Sequence, residues 1–192
     1  RMMWGGVNAV HGVHVIASGD DAPALAARVR QEWPSHKVSR FDACEDYNQP
    51  GAYEVLRGMG LKVAKEHDVE AKEVVSHEGD KGCTLYLGSH KSAVVCRIYE
   101  KGKQLGGKVP NWVRAELQVR PKSRIKELCS RLPPSDVWGL TSWSHTLARR
   151  LGNTELQRVA MSSWRQSDFE RCYSAMLRQY GKTLLALQSD LG

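Results

Sequence analysis

Tyr99 stands two residues from a cation on either side, in Val95-Cys96-Arg97-Ile98-Tyr99-Glu100-Lys101. Strand alternation puts Arg97, Tyr99 and Lys101 on one face and Cys96 and Ile98 on the other. In Val113-Arg114-Ala115-Glu116-Leu117-Gln118-Val119-Arg120 the period is cleaner, with Arg114, Glu116, Gln118 and Arg120 on the polar side. A tyrosine hydroxyl can attack a phosphodiester and hold the cut end covalently, which keeps the bond energy for rejoining. A phenol with an ordinary pKa near 10 is a poor nucleophile at neutral pH. Arg97 and Lys101 would stabilise the phenolate and the charge developing at phosphorus. The bland alternative is an exposed strand tyrosine among solvated charges.

In-line transfer at phosphorus commonly relies on a hard divalent cation, which takes carboxylate ligands. Asp42 and Glu116 are the first choices as ligands of Mg²⁺ or Mn²⁺, with Asp46 and His14 as additional ones. Asp42 can equally pair with Arg40, and Glu116 with cross-strand cations. Other phosphoryl chemistries lack their motifs. The His-hydrophobic-His triplet of many nicking enzymes is missing, since His11-Gly12-Val13-His14 has the wrong spacing. His145 and Arg149 are four apart, so the His-x-x-Arg box of tyrosine recombinases is missing too. No glycine-rich phosphate loop followed by Lys-Ser/Thr occurs, so ATP-driven unwinding is not encoded here.

These side chains have to be held by strands. Residues 12–18 and 37–46 read as strands, each followed by a helix, at about 22–33 and 52–67. Asp42, Cys44 and Asp46 share a face of the second strand. Gly58 and Gly60 each weaken the second helix by about 1 kcal/mol relative to alanine. Residues 73–78 and 83–87 pair as a hairpin; with the Tyr99 and Glu116 strands this makes about four consecutive antiparallel strands. Residues 88–92 form a tight turn and residues 101–110, with three glycines, a flexible connection. From Pro121 the chain turns helical, at about 123–132, 141–151, from near Asn153 and from Ser167, where Ser167-Asp168-Phe169-Glu170 makes a capping box. The class is α+β. The expected division is a sheet core over 1–121 and a helical part over 122–192 packing on the same domain.

The 192 residues carry a formal net charge of +7. Between Gly88 and Arg131 there are eleven Lys or Arg against three acids, so this stretch holds the whole excess. Such clustering is the footprint of a polyanion partner, and Lys91, Lys103, Arg114, Arg120, Lys122 and Arg124 are the candidate DNA contacts. No run nears the roughly 18 uninterrupted apolar residues of a membrane span. Five cysteines, none in a C-x-x-C pair, fit free thiols in a reducing compartment. Residues 1–6 show neither the charged n-region nor the apolar stretch expected of a signal peptide.

Residues 39–46 (SRFDACED), 84–104 (TLYLGSHKSAVVCRIYEKGKQ) and 112–120 (WVRAELQVR) resemble, in order and spacing, the replication initiation factor family of trans-acting rolling-circle initiators from plasmids and filamentous phages. Residues 177–184 (LRQYGKTL) are similar to a segment of the phage members. The resemblance implies a curved antiparallel sheet of about five to seven strands with helices on one face. It also implies a metal-dependent, site-specific nickase and religase working through a covalent 5′-phosphotyrosine. The family's nucleophile falls on Tyr99, with Tyr180 as fallback, and its strand acids fall on Asp42, or Asp46, and Glu116. The implied partners are origin DNA with an exposed single strand, a helicase and host replication proteins, with homodimers common, in the bacterial cytoplasm. The N-terminal region of longer members is short here. A DNA-binding module without chemistry, or a nuclease using water, are the competing readings.

Overall fold

The computed structural model describes residues 2–3, 12–76, 82–122 and 125–152. The helices expected beyond residue 152, the capping box at Ser167 and Tyr180 lie outside the described residues, as does Arg124. Contacts divide the chain into two units. One holds β1 (Met2–Met3) and β2 (His14–Val15), a short antiparallel ladder pairing Met3 with His14. Of the strand expected over 12–18, His14 and Val15 form the ladder among the described residues.

The other unit runs from Ala24 through the rest of the described chain. Helix α1 (Asp21–Glu32) leads into it, with Leu25, Ala26 and Val29 only half-buried. Next come β3 (Phe41–Asn48), α2 (Ala52–Glu66), β4 (Ala71–Val75), β5 (Cys83–Leu87) and β6 (Val94–Tyr99). Then follow α3 (Lys101–Gln104), β7 (Trp112–Val119), α4 (Ile125–Arg131), a 3₁₀ turn (Asp136–Gly139) and α5 (Ser142–Gly152). The strands form one antiparallel five-stranded sheet in the order β3-β7-β6-β5-β4, so the class is α+β as the alternation implied.

β4 to β7 are sequential neighbours, whereas β3 returns to the far edge beside β7. Its ladder with β7 runs from Phe41 opposite Val119 to Asn48 opposite Trp112. The partner's length therefore sets β3, which starts four residues later and ends two later than the apolar pattern indicates.

One face of the sheet carries Ala43, Leu85, Leu87, Cys96, Ile98, Val113, Ala115 and Leu117, and α2 covers it with Leu56 and Val63. The helix comes nearest at Gly60, where a Cβ would lie 3.0 Å from Leu85 Cδ2 and 3.1 Å from Ile98 Cδ1. The glycine that weakens the helix locally is the one that lets it settle on the sheet; Gly58 has open space around it. Helix α5 begins on reciprocal capping bonds, Ser144 N donating to Thr141 Oγ1 at 3.1 Å and Thr141 N to Ser144 Oγ at 3.2 Å. It is tied to α2 by Arg150 donating to Glu66 at 2.6 Å and by His67 Nε2 against Thr146 Oγ1 at 3.0 Å.

Residues 101–110 are not the loose connection that their glycines suggest. Gly107 N donates to Gly102 O at 2.9 Å, and a Cβ at Gly102 would stand 1.7 Å from Val109 O. Only glycine fits where this loop folds back on α3.

Edge strand β4 is fastened to α2 by Glu73. It accepts from Arg57 Nε at 2.6 Å, Arg57 Nη2 at 2.8 Å and Tyr53 Oη at 3.0 Å. The Arg57 bonds hold the Glu73 carboxyl below its ordinary value of 4.5 despite partial desolvation. A depressed carboxyl contributes stability that is present above its unfolded pKa and is lost as pH falls through the folded value. Glu73→Gln is expected to lower stability at pH 7 by about 1–3 kcal/mol in urea melts. It should also flatten the fall in stability below about pH 4.5, whereas an unchanged acid limb would place the pH dependence elsewhere.

Candidate active site on the polar face of the sheet

The face away from α2 carries Asp42, Asp46, Arg97, Tyr99, Arg114 and Glu116, the residues of this sheet that the sequence marks for chemistry. Three registered rows place them. Asp42, Gln118 and Val95 form one row; Cys44, Glu116, Arg97 and Tyr86 form the next; Asp46, Arg114, Tyr99 and Thr84 form the third. Glu116 is diagonal to Tyr99, Asp42 and Asp46, within reach of long side chains.

At the centre, Tyr99 Oη donates to Glu116 Oε2 at 3.1 Å while Arg97 Nη2 donates to Glu116 Oε1. Glu116 is only 5% exposed and Tyr99 6%. Arg97 lies over the Tyr99 ring with its Cζ 5.4 Å from the centroid, and Lys101 Nζ is 5.5 Å from it. Lys101 has left the strand for the first turn of α3, yet stays on the ring. Glu100 anchors that turn, accepting from Cys83 N at 2.9 Å and pairing with Lys103 at 2.7 Å.

A second centre forms on Asp46, the acid that Asp42 was preferred to. Arg114 donates to it bidentately, 2.7 Å to each oxygen, and Trp112 Nε1 donates to Oδ1 at 2.7 Å. Arg114 also lies 5.4 Å from the Trp112 ring centroid. Neither Trp112 as a donor nor Asp46 as the better-buried acid stands out in one strand alone; the β3–β7 register reveals both.

Asp42 takes the alternative open to it from sequence. Arg40 Nε and Nη2 reach it at 3.0 and 2.6 Å, an exposed local pair. Glu116 likewise takes the cross-strand cation. Each of the three acids is thus neutralised by an arginine, and Asp42 faces Gln118 rather than Glu116. His14 is exposed on β2 in the other unit. Among the described residues no three His, Cys, Asp or Glu side chains stand together as ligands.

Of the other cations, Lys91 is exposed in the β5–β6 turn, and Arg120 and Lys122 are exposed just beyond β7. Lys103 and Arg114 are committed to acids.

The electrostatics correct one expectation. Cations flank Tyr99, but burial, reinforced by Glu116, drives its phenol well above the ordinary 10; Arg114 and Arg97 offset only part of this. The hydroxyl is therefore a protonated donor at neutral pH, not a preformed phenolate. Burial and the same acids push the Cys44 thiol up to about 12, so it is a poor nucleophile. Arg97 loses to burial and gains more from Glu116, for a net rise, so it stays charged. Its Nε is buried with no hydrogen-bond partner among the described residues.

The two acids should respond differently to truncation. Glu116→Ala leaves Arg97 uncompensated in a nearly dry site and is expected to destabilise by about 3–5 kcal/mol. Asp42→Ala breaks a pair whose side chains are 28% and 49% exposed, worth about 0–1 kcal/mol. Equal losses in denaturant melts would contradict this placement of the charges.

Residues 57–137 match the family model described as replication initiation factor. A solved structure, that of a rolling circle replication initiator protein from Geobacillus stearothermophilus, shares 27% identity over 54% of this chain with a TM-score of 0.37. The match spans 43% of that chain, less than half its length. Comparison with curated proteins gave no match. Asp42 and Asp46 precede the family-matched segment, whereas Arg97, Tyr99, Arg114 and Glu116 lie within it. The stretch that folds into β4 to β7 and places a phenol on a buried carboxylate is the part of this chain that matches the replication initiation factors.

Proposed function

We propose that this protein initiates rolling-circle DNA replication by nicking and rejoining origin DNA, with Tyr99 as the attacking group. The observation that carries the proposal is the Tyr99 hydroxyl donating to Glu116 Oε2 with Arg97 and Lys101 on its ring. The family match over residues 57–137 supports the biological setting.

A phenol held protonated needs a base at the moment of attack, and Glu116 is the group in contact with its proton. In the proposed step the bond from Tyr99 Oη to phosphorus forms as the bond from phosphorus to the 3′-oxygen breaks. The phenolic proton passes to Glu116, and the leaving oxygen takes a proton from solvent. The products are a 5′-phosphotyrosyl link and a 3′-hydroxyl that primes synthesis; the reverse reaction rejoins the strand. Arg97 links charge to chemistry. A phosphate that draws this guanidinium away from Glu116 gains a cation and leaves the carboxylate a stronger base. Lys101 and Arg114 neutralise further charge, while exposed Lys91, Arg120 and Lys122 hold flanking phosphates.

Dependence on Mg²⁺ or Mn²⁺ belongs to the proposal because transfer at phosphorus commonly uses a hard cation. A helicase, host replication proteins and a second copy of the chain complete the proposed partners, in the cytoplasm of a bacterial host. No described helix is long and apolar enough to cross a membrane.

A DNA-binding module without chemistry is the second reading, and the burial of Tyr99 is the observation that favours it. Two experiments separate them. Tyr99→Phe should abolish covalent capture of a labelled origin oligonucleotide while leaving its affinity within a few-fold; mass spectrometry of the trapped nucleotide–peptide names the attacking residue. Capture retained in Tyr99→Phe ends the assignment. With the unaltered protein, EDTA should suppress capture and added Mn²⁺ restore it; capture indifferent to EDTA would assign charge neutralisation to the arginines alone.

A further inference from the structure

We propose that Tyr86, braced by His90, is a stacking platform that holds one base of single-stranded DNA beside Tyr99. The inference rests on reading this face as the DNA face, and it assigns a role to a residue with no part in the chemistry above.

Tyr86 is opposite Arg97 in the β5–β6 ladder, and Lys72 of β4 is opposite Tyr86 on its other side. Alternation puts all three on the face that carries Glu116 and Tyr99. Tyr86 and Tyr99 are diagonal neighbours across one strand pair, about 7–8 Å apart at their Cα atoms. A base on Tyr86 is then one side-chain length from a phosphate on Tyr99.

The ring is not packed away. Tyr86 is half-exposed, whereas Leu85 and Leu87 beside it are fully buried. Its aromatic neighbour is exposed His90, with ring centroids 5.7 Å apart and planes tilted by 56°. That tilt leaves a face of the tyrosine uncovered by the imidazole.

The turn that delivers His90 is held firmly. Gly88 has φ +91°, its N donates to Glu70 O at 2.8 Å, and a Cβ there would stand 2.9 Å from Val94 O. Ser92 N donates to Ser89 O at 2.8 Å. Arg97 and exposed Lys72 are the register partners of Tyr86 on its two sides, and exposed Lys91 follows His90 in the turn. An aromatic ring with a cation on each neighbouring strand suits a flexible polyanion with stacking bases, since every base offers a π-face and every linkage a charge. A folded protein partner would instead call for a broader apolar surface around the ring.

The test uses binding in a Tyr99→Phe background without metal, so that it does not depend on strand cleavage. The probe is a fluorescein-labelled single-stranded oligonucleotide, in versions carrying 2-aminopurine at successive positions. Tyr86→Leu is expected to weaken binding about 5- to 100-fold. The slope of log affinity against log salt should stay unchanged, because a stacked base releases no counterions. Tyr86→Phe restores affinity, and one 2-aminopurine position loses its quenching in Tyr86→Leu only. An abasic site at that position should erase the difference between Tyr86 and Leu. His90→Ala, at an exposed position that leaves the fold intact, should weaken binding and quenching in the same direction by a smaller factor. Equal affinities for Tyr86 and Leu, or loss of affinity with no base-specific change in quenching, overturn the platform. If covalent capture by Tyr99 fails while Tyr86→Leu still loses stacking, the nicking reading falls and the platform stands.

Discussion

A carboxylate with almost no water around it governs this sheet. Glu116 is held between the Arg97 guanidinium and the Tyr99 hydroxyl, and loss of the arginine would leave a carboxylate stranded in a poorly solvated place. That requirement reaches outward. Arg97 and Tyr99 are two apart on β6, so they meet Glu116 together only if β6 pairs with β7 in the observed register. A slip of β6 by one residue would turn Arg97 and Tyr99 onto the face beneath α2 and leave Glu116 behind on the other. The ion pair and the apolar face therefore select the same register.

The apolar side supplies the complementary constraint. Gly60 lets α2 lie close over Leu85, Leu87 and Ile98, and Glu73 ties the outer strand to the same helix through Arg57 and Tyr53. With one face sealed, polar residues that alternate with the core are forced together on the other. The same burial raises the Tyr99 phenol instead of lowering it. Water is what solvates a phenolate most effectively, and at this site desolvation and the adjacent carboxylate outweigh the nearby guanidinium groups.

Much of this was legible along the chain. Alternation in 95–101 and 113–120 separates Arg97 and Tyr99 from Cys96 and Ile98, and Arg114 and Glu116 from Ala115 and Leu117, as the sheet has them. The hairpin of β4 and β5 and the helix over Ala52–Glu66 also follow from local signals. Periodicity and turn chemistry are short-range, and a single strand displays them without its neighbours. The preference for Asp42 over Asp46 came from the same short-range view, in which both acids share a face and nothing ranks them.

Residue types and their period determined which side chains belong to the core and which share the open face, and the run from Gly88 to Arg131 determined where the chain concentrates its excess of positive charge. Pairing across strands lay beyond the sequence, because β3 and β7 are separated by more than sixty residues and no local rule sets their register. Tertiary structure alone decided that Arg114 and Trp112 claim Asp46, that Arg40 keeps Asp42, and that Glu116 receives the Tyr99 proton donor. It also decided the state of that phenol, since a pKa depends on how much water the fold removes as well as on which charges stand nearby.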